Sequence, residues 1–229
     1  MSGVPSRERD DSAAWGIESP GEVRWPVLAA VVVAIALQLV VPDRLLVGLG
    51  NRALIPALEA LLLLVLVIVN PGKISVEERK LRVVGVALIA LITIANFIAL
   101  GELIHALLYG ARTAGRPLVY GSVPIWLTNV IVFGLWFWEL DRGGPAARQQ
   151  PTHRRPDFLF PQMATAGADP HWVPKFDDYL YTSFTNATAF SPTDTMPLTG
   201  WAKLLMAMQS MVSLITVAVV ISRAVNILG

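Results

Sequence analysis

The sequence predicts an all-α integral membrane protein with five transmembrane helices and one shorter helix that enters and leaves the membrane on one face. Its residues are 54% hydrophobic, and the mean hydropathy of +0.57 is higher than that of ordinary soluble domains. The apolar residues lie in long runs and not at amphipathic spacing. The last run, from Trp201 to Leu228, has about 28 residues and would extend roughly 42 Å as a helix, enough to cross a bilayer.

The first 140 residues divide into a tail and a four-helix transmembrane region. Residues 1–24 mix basic and acidic side chains and lack the apolar core of a signal peptide, which predicts a mobile polar tail. Residues 25–140 hold the first four predicted transmembrane helices. Their apolar runs extend from Trp25 to Val41, from about Ala53 to Val69, from about Val83 to Tyr109 and from about Gly121 to Leu140.

The remaining residues divide at about position 176. Residues 141–175 are rich in proline and arginine and contain no apolar run of spanning length, which predicts an extramembrane linker. Within it, DFLFPQM (Asp157 to Met163) is apolar enough to lie on the membrane surface or to pack on the segment that follows. Residues 176–229 begin with an aromatic and hydroxyl-rich segment up to Thr188. A proline-bearing loop to Pro197 then ends that helix before the last apolar run.

The order of these last parts resembles the pore segment of potassium channels and their relatives, a re-entrant pore helix, a filter and an inner helix. The matching residues are Tyr181, Ser183 and Phe184 in the pore-helix pattern Y-x-S-F, Thr188 at the filter entry, Asp194 at the filter end and Pro197 behind it. The matched segment covers about 50 of the 229 residues. The resemblance implies a pore-like helix and loop, a channel-like function and a homotetramer if the protein conducts.

The filter positions depart from the family pattern. Where the family has T-V-G-Y-G, this chain has Ala189, Phe190, Ser191, Pro192 and Thr193. Both glycines are missing, and Pro192 restricts its own backbone and that of Ser191, so a carbonyl-lined potassium filter is not expected. Side-chain oxygens remain to line a constriction, from Thr188, Ser191, Thr193 and Asp194. We therefore expect weak selectivity among monovalent cations.

A polar stripe marks one side of the last helix. Its members fall at helical spacing: Gln209, Ser213, Thr216 and Arg223. In a fourfold pore this stripe would form the wall, with Arg223 near its mouth. The alternative is helix packing, because Ser, Thr and Gln hydrogen-bond between membrane helices and an arginine can extend to the interface. The sequence leaves both interpretations open.

Ionisable residues inside the predicted spans form a second candidate site. Glu102 and His105 are three residues apart in the third span, and Glu59 lies in the neighbouring span. Charged groups are costly at membrane depth, which makes proton relay or cation binding a hypothesis for them. The alternative is an interfacial pair, because Glu102 and His105 lie in the last two turns of their run. A single E-x-x-H motif does not make a di-metal site, so we expect no metal.

Several function classes are excluded or ranked lower. A net charge of +1 gives no reason to expect a nucleic-acid partner, and the absence of cysteine excludes thiol chemistry. Because no hydrolase, phosphate-binding or zinc-protease motif occurs, we expect neither an enzyme nor a cofactor. Besides conduction, a non-conducting scaffold that keeps the pore-loop fold and a proton-coupled transporter remain open. The expected surroundings are the lipid bilayer of the cell membrane, crossed several times.

Alternation of the five spans places the tail, the 70–82 link and the 141–175 linker on one side of the membrane. That side carries 12 Lys or Arg residues against four in the two opposite links, which favours the cytoplasm for it. The resemblance to potassium channels implies the opposite orientation. The sequence therefore leaves the orientation open.

Overall fold

The computed structural model describes residues 22–41, 53–69, 79–109, 115–148, 155–165, 172–188 and 194–228. The predicted tail lies outside these ranges except for residues 22–24. The longer helices are α1 (Trp25–Val40), α2 (Leu54–Val69), α3 (Arg79–Tyr109) and α4 (Gly115–Leu140). A 3-10 turn at Asp141–Gly143 follows, and then α5 (Pro145–Arg148), β1 (Phe158–Leu159), α6 (Pro161–Ala164), α7 (Phe176–Thr188), β2 (Met196–Pro197) and α8 (Gly200–Leu228).

The prediction of an all-α fold is confirmed, and three of the described helices are long and apolar enough to cross a membrane. These three are Leu81–Tyr109, Tyr120–Gly143 and Gly200–Ser222. The helices α1 and α2 are also apolar, but each has 16 residues, about 24 Å of helix against a hydrocarbon core of about 30 Å. By length and composition the structure supports a membrane protein with three spans, and the number five stays a prediction.

The helix α4 lies at the centre of the bundle and packs against α1, α3, α7 and α8. In the most apolar 18-residue stretch of α4, 67% is buried inside the protein, whereas in that of α8 the buried share is 33%. The side chains of Phe133, Leu135 and Phe137 in α4 are part of the main hydrophobic core. A helix covered on most sides needs apolar residues all round, which explains why α4 has no amphipathic pattern.

Neighbouring helices in the first half of the chain run in alternating directions. Near the end of α1, Gln38 donates hydrogen bonds to Glu59 near the start of α2. Near the start of α3, Arg82 donates to Glu139 at the end of α4. Just before α1, Glu22 accepts a hydrogen bond from Trp138. The starts of α1 and α3 therefore lie beside the end of α4, and we call this end of the molecule the polar end.

The chain leaves α4 through a turn in the left-handed region of backbone space. The φ angles are 53° at Arg142, 88° at Gly143 and 103° at Gly144. At Gly144 a Cβ would also lie 3.0 Å from the carbonyl oxygen of Glu139, so a side chain there would be strained and crowded. The residues that follow return over the polar end, where β1 pairs antiparallel with β2. The described part of the predicted linker therefore folds as a cap.

Candidate functional site

The helices α7 and α8 run in the same direction and start at the same end. Hydrogen bonds join Ser183 to Gln209 and Ala187 to Ser213, both with an offset of 26 residues. At the polar end, the ring of Phe158 contacts the ring of Tyr179 in α7 at 6.2 Å and that of Trp201 in α8 at 5.9 Å. Because α7 and α8 are parallel and follow each other in the sequence, the chain between them must return from the end of α7 to the polar end.

The return of the chain is visible at Thr195. Its Oγ1 atom lies 3.0 Å from Oγ1 of Thr182, six residues before the end of α7, and both side chains are buried. The next two residues form β2 and pair with β1 at the polar end. The segment after Asp194 therefore runs back beside α7, and the loop Ala189 to Thr193 itself lies outside the described residues.

A hydrogen-bonded seam joins α7 to α8 and α4. Nε2 of Gln209 donates to the carbonyl oxygen of Ser183 at 2.8 Å and to its Oγ at 2.6 Å. The Ser183 hydroxyl in turn donates to the carbonyl oxygen of Val130 in α4 at 2.6 Å. Gln209 and Ser183 have no exposed surface. Because these buried polar groups are hydrogen-bonded across α4, α7 and α8, the seam fixes the position of α7.

The seam continues toward the end of α7. Nδ2 of Asn186 donates to Oε1 of Gln209 at 2.7 Å and to the carbonyl oxygen of Met206 at 2.9 Å. The hydroxyl of Ser213 donates to the carbonyl oxygen of Ala187 and accepts from Nε1 of Trp126 at 2.6 Å. Each turn of α7 from Ser183 onward therefore has a polar partner on a neighbouring helix.

The predicted stripe on α8 therefore packs within one chain. Gln209, Ser213 and Thr216 are 0–1% exposed, and the hydroxyl of Thr216 donates to Val212 in its own helix. The side chain of Arg223 lies outside the described ones. These contacts match the packing interpretation of the stripe. The uncovered side of α8 is apolar and exposes Leu204, Met208, Met211, Leu214 and Ile221.

The two ends of the predicted constriction differ in their surroundings. Thr188, the last residue of α7, is half-buried, and its hydroxyl donates to the carbonyl oxygen of Thr185 at 3.0 Å. Asp194 is exposed. Thr188 ends α7, whereas Asp194 directly precedes Thr195, which lies beside Thr182 six residues before that end. The five residues between Thr188 and Asp194 lie outside the described ones, so the role of both residues as a constriction stays a prediction.

A charged cluster at the polar end was missed by the sequence-based reasoning, and consists of Glu22, Asp141, Arg142, Arg148 and Asp157. Asp141 is fully buried and accepts hydrogen bonds from Tyr179 Oη, from the Asp157 N–H at 2.8 Å and from Nε of Arg142 at 3.2 Å. Asp157 accepts from the Arg142 N–H at 2.8 Å and from Nε1 of Trp201 at 2.9 Å. These bonds join α4, the cap, α7 and α8.

The other half of the charged cluster holds the start of α7. Arg148 donates to the carbonyl oxygens of Trp138 and Asp141, and its guanidinium lies 5.0 Å from the ring centre of Tyr179. Glu22 accepts from Nε1 of Trp138 at 2.8 Å and from the N–H of Phe176, the first residue of α7, at 2.6 Å. A carboxylate at a helix start satisfies a free N–H and complements the helix dipole.

The surroundings of Tyr179 suit a structural role. Burial raises the pKa of Tyr179 well above its ordinary value of 10.0, with a smaller opposing effect of Arg148. The hydroxyl therefore stays protonated and remains a donor to Asp141. Among the described residues, no group of three His, Cys, Asp or Glu side chains is placed to hold a metal ion. The charged cluster acts by joining elements together.

One feature of the sequence did point toward the cap. The apolar segment Asp157 to Met163 was expected to lie on the membrane or to pack on the segment that follows, and it packs. The ring of Phe160 contacts the ring of Tyr179 at 5.2 Å, and Phe158 is fully buried. The charged residues beside it gave no comparable pattern, because their partners lie far away in the sequence.

The three predicted intramembrane ionisable residues differ in their burial and in their contacts. Glu59 is fully buried and accepts from Gln38 at 2.9 and 3.1 Å. Glu102 is half-buried and His105 exposed, and the His105 ring contacts that of Tyr109 at 5.1 Å. Within the described part of the chain, hydrogen bonds join Glu59 to Gln38 and do not join it to Glu102 or His105. A proton relay through all three stays a prediction.

Comparison with protein family models, with curated proteins and with solved structures finds no match to this chain.

Proposed function

We propose that the chain is a channel-like protein of the cell membrane, in which α7 is a re-entrant helix and residues 188–194 form a constriction for monovalent cations. The course of the chain supports this proposal most. The helix α7 leaves the polar end, Thr195 lies on the way back beside Thr182, and α8 sets out from the same end. With 13 residues, α7 measures about 20 Å, too short to cross a core of about 30 Å.

The end of α7 lies at membrane depth in this proposal. Ser213, which contacts Ala187, is 13 residues beyond the start of α8, or about 20 Å along its axis. The loop from Thr188 to Asp194 then begins deep in the bilayer. Side-chain oxygens and a ring of Asp194 carboxylates favour cations over anions by charge, but they separate sodium from potassium poorly because hydrated ions meet flexible side chains.

A pore of the kind found in potassium channels lies between four subunits, so the proposal requires a homotetramer. In each subunit Gln209 and Ser213 of the stripe hold α7 in place. The uncovered side of α8 then faces the central cavity or a neighbouring subunit. Together with α1 and α2, the proposal counts five transmembrane helices and one re-entrant helix.

Planar-bilayer recording of the purified full-length protein tests this function. With sodium on one side and potassium on the other, we expect a cation current that reverses near zero voltage. Asp194→Asn should weaken the preference for cations over anions, whereas Asp177→Asn, a matched change at an exposed carboxylate near the start of α7, should leave it unchanged. A reversal potential at the potassium equilibrium value, or a monomer in mild detergent, contradicts the proposal.

A non-conducting scaffold is the second candidate, and the burial of the stripe favours it. Gln209, Ser213 and Thr216 are used for packing within one chain, and the uncovered side of α8 is an apolar surface suited to a membrane partner or to lipid. The scaffold requires the same re-entrant fold but no current. A folded protein that passes no ion at any voltage or pH supports the scaffold and refutes conduction.

A further inference from the structure

One buried carboxyl group takes no part in the proposed function. Glu59 in α2 has no exposed surface. Both of its carboxyl oxygens accept from Nε2 of Gln38 in α1, Oε1 at 3.1 Å and Oε2 at 2.9 Å. The two residues belong to α1 and α2, so an inference drawn from them does not depend on conduction through α7 and the loop that follows it.

The surroundings of Glu59 on its own helix and on α1 are apolar. The helix α1 has no ionisable side chain, and Glu59 is the one ionisable residue of α2. The described exposed residues of α2 are all alanine, leucine, valine or isoleucine, among them Leu58, Leu61 and Leu64. Such a surface suits contact with lipid chains, so neither side of α2 provides a counter-charge.

The helix α2 also packs against α3, whose ionisable side chains lie near its two ends. They are Arg79, Lys80 and Arg82 near its start and Glu102 and His105 near its end. Leu63 of α2 and Ile89 of α3 line a common crevice, and Glu59 lies about one turn beyond Leu63. Because the two helices are antiparallel, Glu59 is then roughly 15 Å along the axis from both Arg82 and Glu102. Among the described residues, no lysine or arginine forms an ion pair with Glu59.

A neutral carboxyl group suits this position better than a carboxylate. A buried charge without a counter-charge is costly, and a carboxyl group in such surroundings takes up a proton instead. The amide group of Gln38 has an acceptor oxygen as well as N–H donors. After a half-turn of this amide group, Gln38 can accept the O–H of a neutral Glu59 and donate to its other oxygen. The neutral pair then satisfies its polar groups and carries no charge.

We propose that Glu59 is a proton-binding site in the membrane-spanning part of the protein. The bound proton joins Glu59 to Gln38, and so joins the start of α2 to the end of α1. Glu59 lies five residues, or about 8 Å along the helix, from Leu54, where α2 begins. Release of the proton leaves a charge that needs water. The start of α2 therefore separates from α1 when the proton leaves.

Infrared difference spectra of the full-length protein in lipid vesicles test the protonation. At neutral pH, wild type minus Glu59→Gln should show the C=O band of a protonated carboxyl group, and this band should give way to carboxylate bands at higher pH. The control is Glu139→Gln, because Glu139 is also buried but pairs with Arg82 at 2.8 Å, so its difference spectrum should show carboxylate bands at neutral pH. Carboxylate bands at neutral pH from Glu59→Gln would overturn the proposal.

A distance measurement tests the coupling between the proton and the two helices. The chain contains no cysteine, so spin labels can be placed at Val40→Cys and Leu54→Cys, both exposed positions at the adjoining ends of α1 and α2. With Glu59 present, the distance between the labels, measured by electron paramagnetic resonance, should lengthen over the pH range in which the infrared band is lost. With Glu59→Gln added, which keeps a neutral partner for Gln38, the distance should stay short. A constant distance in the protein that retains Glu59, or an equal change in both proteins, would refute the coupling.

Discussion

Replacing Gly134 with alanine should loosen the contact between α4 and α7. A Cβ on Gly134 would lie 3.1 Å from Cα and 3.2 Å from Cδ1 of Leu180 in α7. The nearer atom belongs to the backbone, so a side-chain rotation cannot relieve the contact and α7 must shift. Overpacking of this kind costs about 1–3 kcal/mol. Alanine also favours the helix over glycine by about 1 kcal/mol, which partly hides the cost.

Gly101→Ala separates these two effects. It lies in α3, where the added Cβ meets nothing within 4 Å, so it gains the helix preference without the crowding. The free energy of unfolding of Gly134→Ala should therefore be about 1–3 kcal/mol below that of Gly101→Ala. Reversible unfolding in mixed micelles, followed by circular dichroism, measures both variants. Equal stabilities would mean that α4 and α7 do not approach each other as described.

Three further changes test the polar contacts by the same unfolding measurement. Asp141→Asn removes the carboxylate that pairs with the guanidinium of Arg142 and should lower the free energy of unfolding by about 3–5 kcal/mol. The control Asp177→Asn, at an exposed site, should change it little. Similar values for the two variants would contradict the buried ion pair. Tyr179→Phe should be less stable than wild type at neutral pH. As pH rises above 10.0, the ordinary pKa of tyrosine, the stability of wild type should fall more than that of the variant. The reason is that the raised pKa of the folded Tyr179 contributes stability that is fully present below pH 10.0 and is lost at higher pH. Parallel pH profiles would refute this. Gln209→Met keeps the side-chain length, removes the hydrogen bonds of Gln209 to Ser183 and Asn186, and should lower the free energy of unfolding by about 1–3 kcal/mol. An unchanged stability would show that the seam does not hold α7.

The positions of the helices could be predicted from the sequence because an apolar run is a local property. The last run was predicted from Trp201 to Leu228 and the helix extends over Gly200–Leu228. The run predicted from about Val83 ends at Tyr109 as the helix α3 does. The position of such a helix depends on the hydropathy of each residue and of its neighbours in the run.

The contacts of the charged cluster could not be predicted in this way. Glu22 and Phe176 are 154 positions apart, and Trp138 and Glu22 are 116 apart. No periodic pattern links such positions. Helical spacing puts Gln209 and Ser213 on one side of α8, and both side chains are buried. Spacing does not say which neighbour that side faces, and the partner proved to be α7 of the same chain.

The hydrogen bond between Glu22 and Phe176 has a consequence for synthesis. Chains emerge from the ribosome N-terminus first, so Glu22 is made long before the helix start that it caps. Until Phe176 and Trp201 follow, neither the polar atoms of α7 nor the carboxylate of Asp157 has its full set of partners. The helix α7 therefore reaches its final position only when α8 has been made. Loss of α8 should leave a protein whose first four helices are made but whose α7 is exposed to quality control.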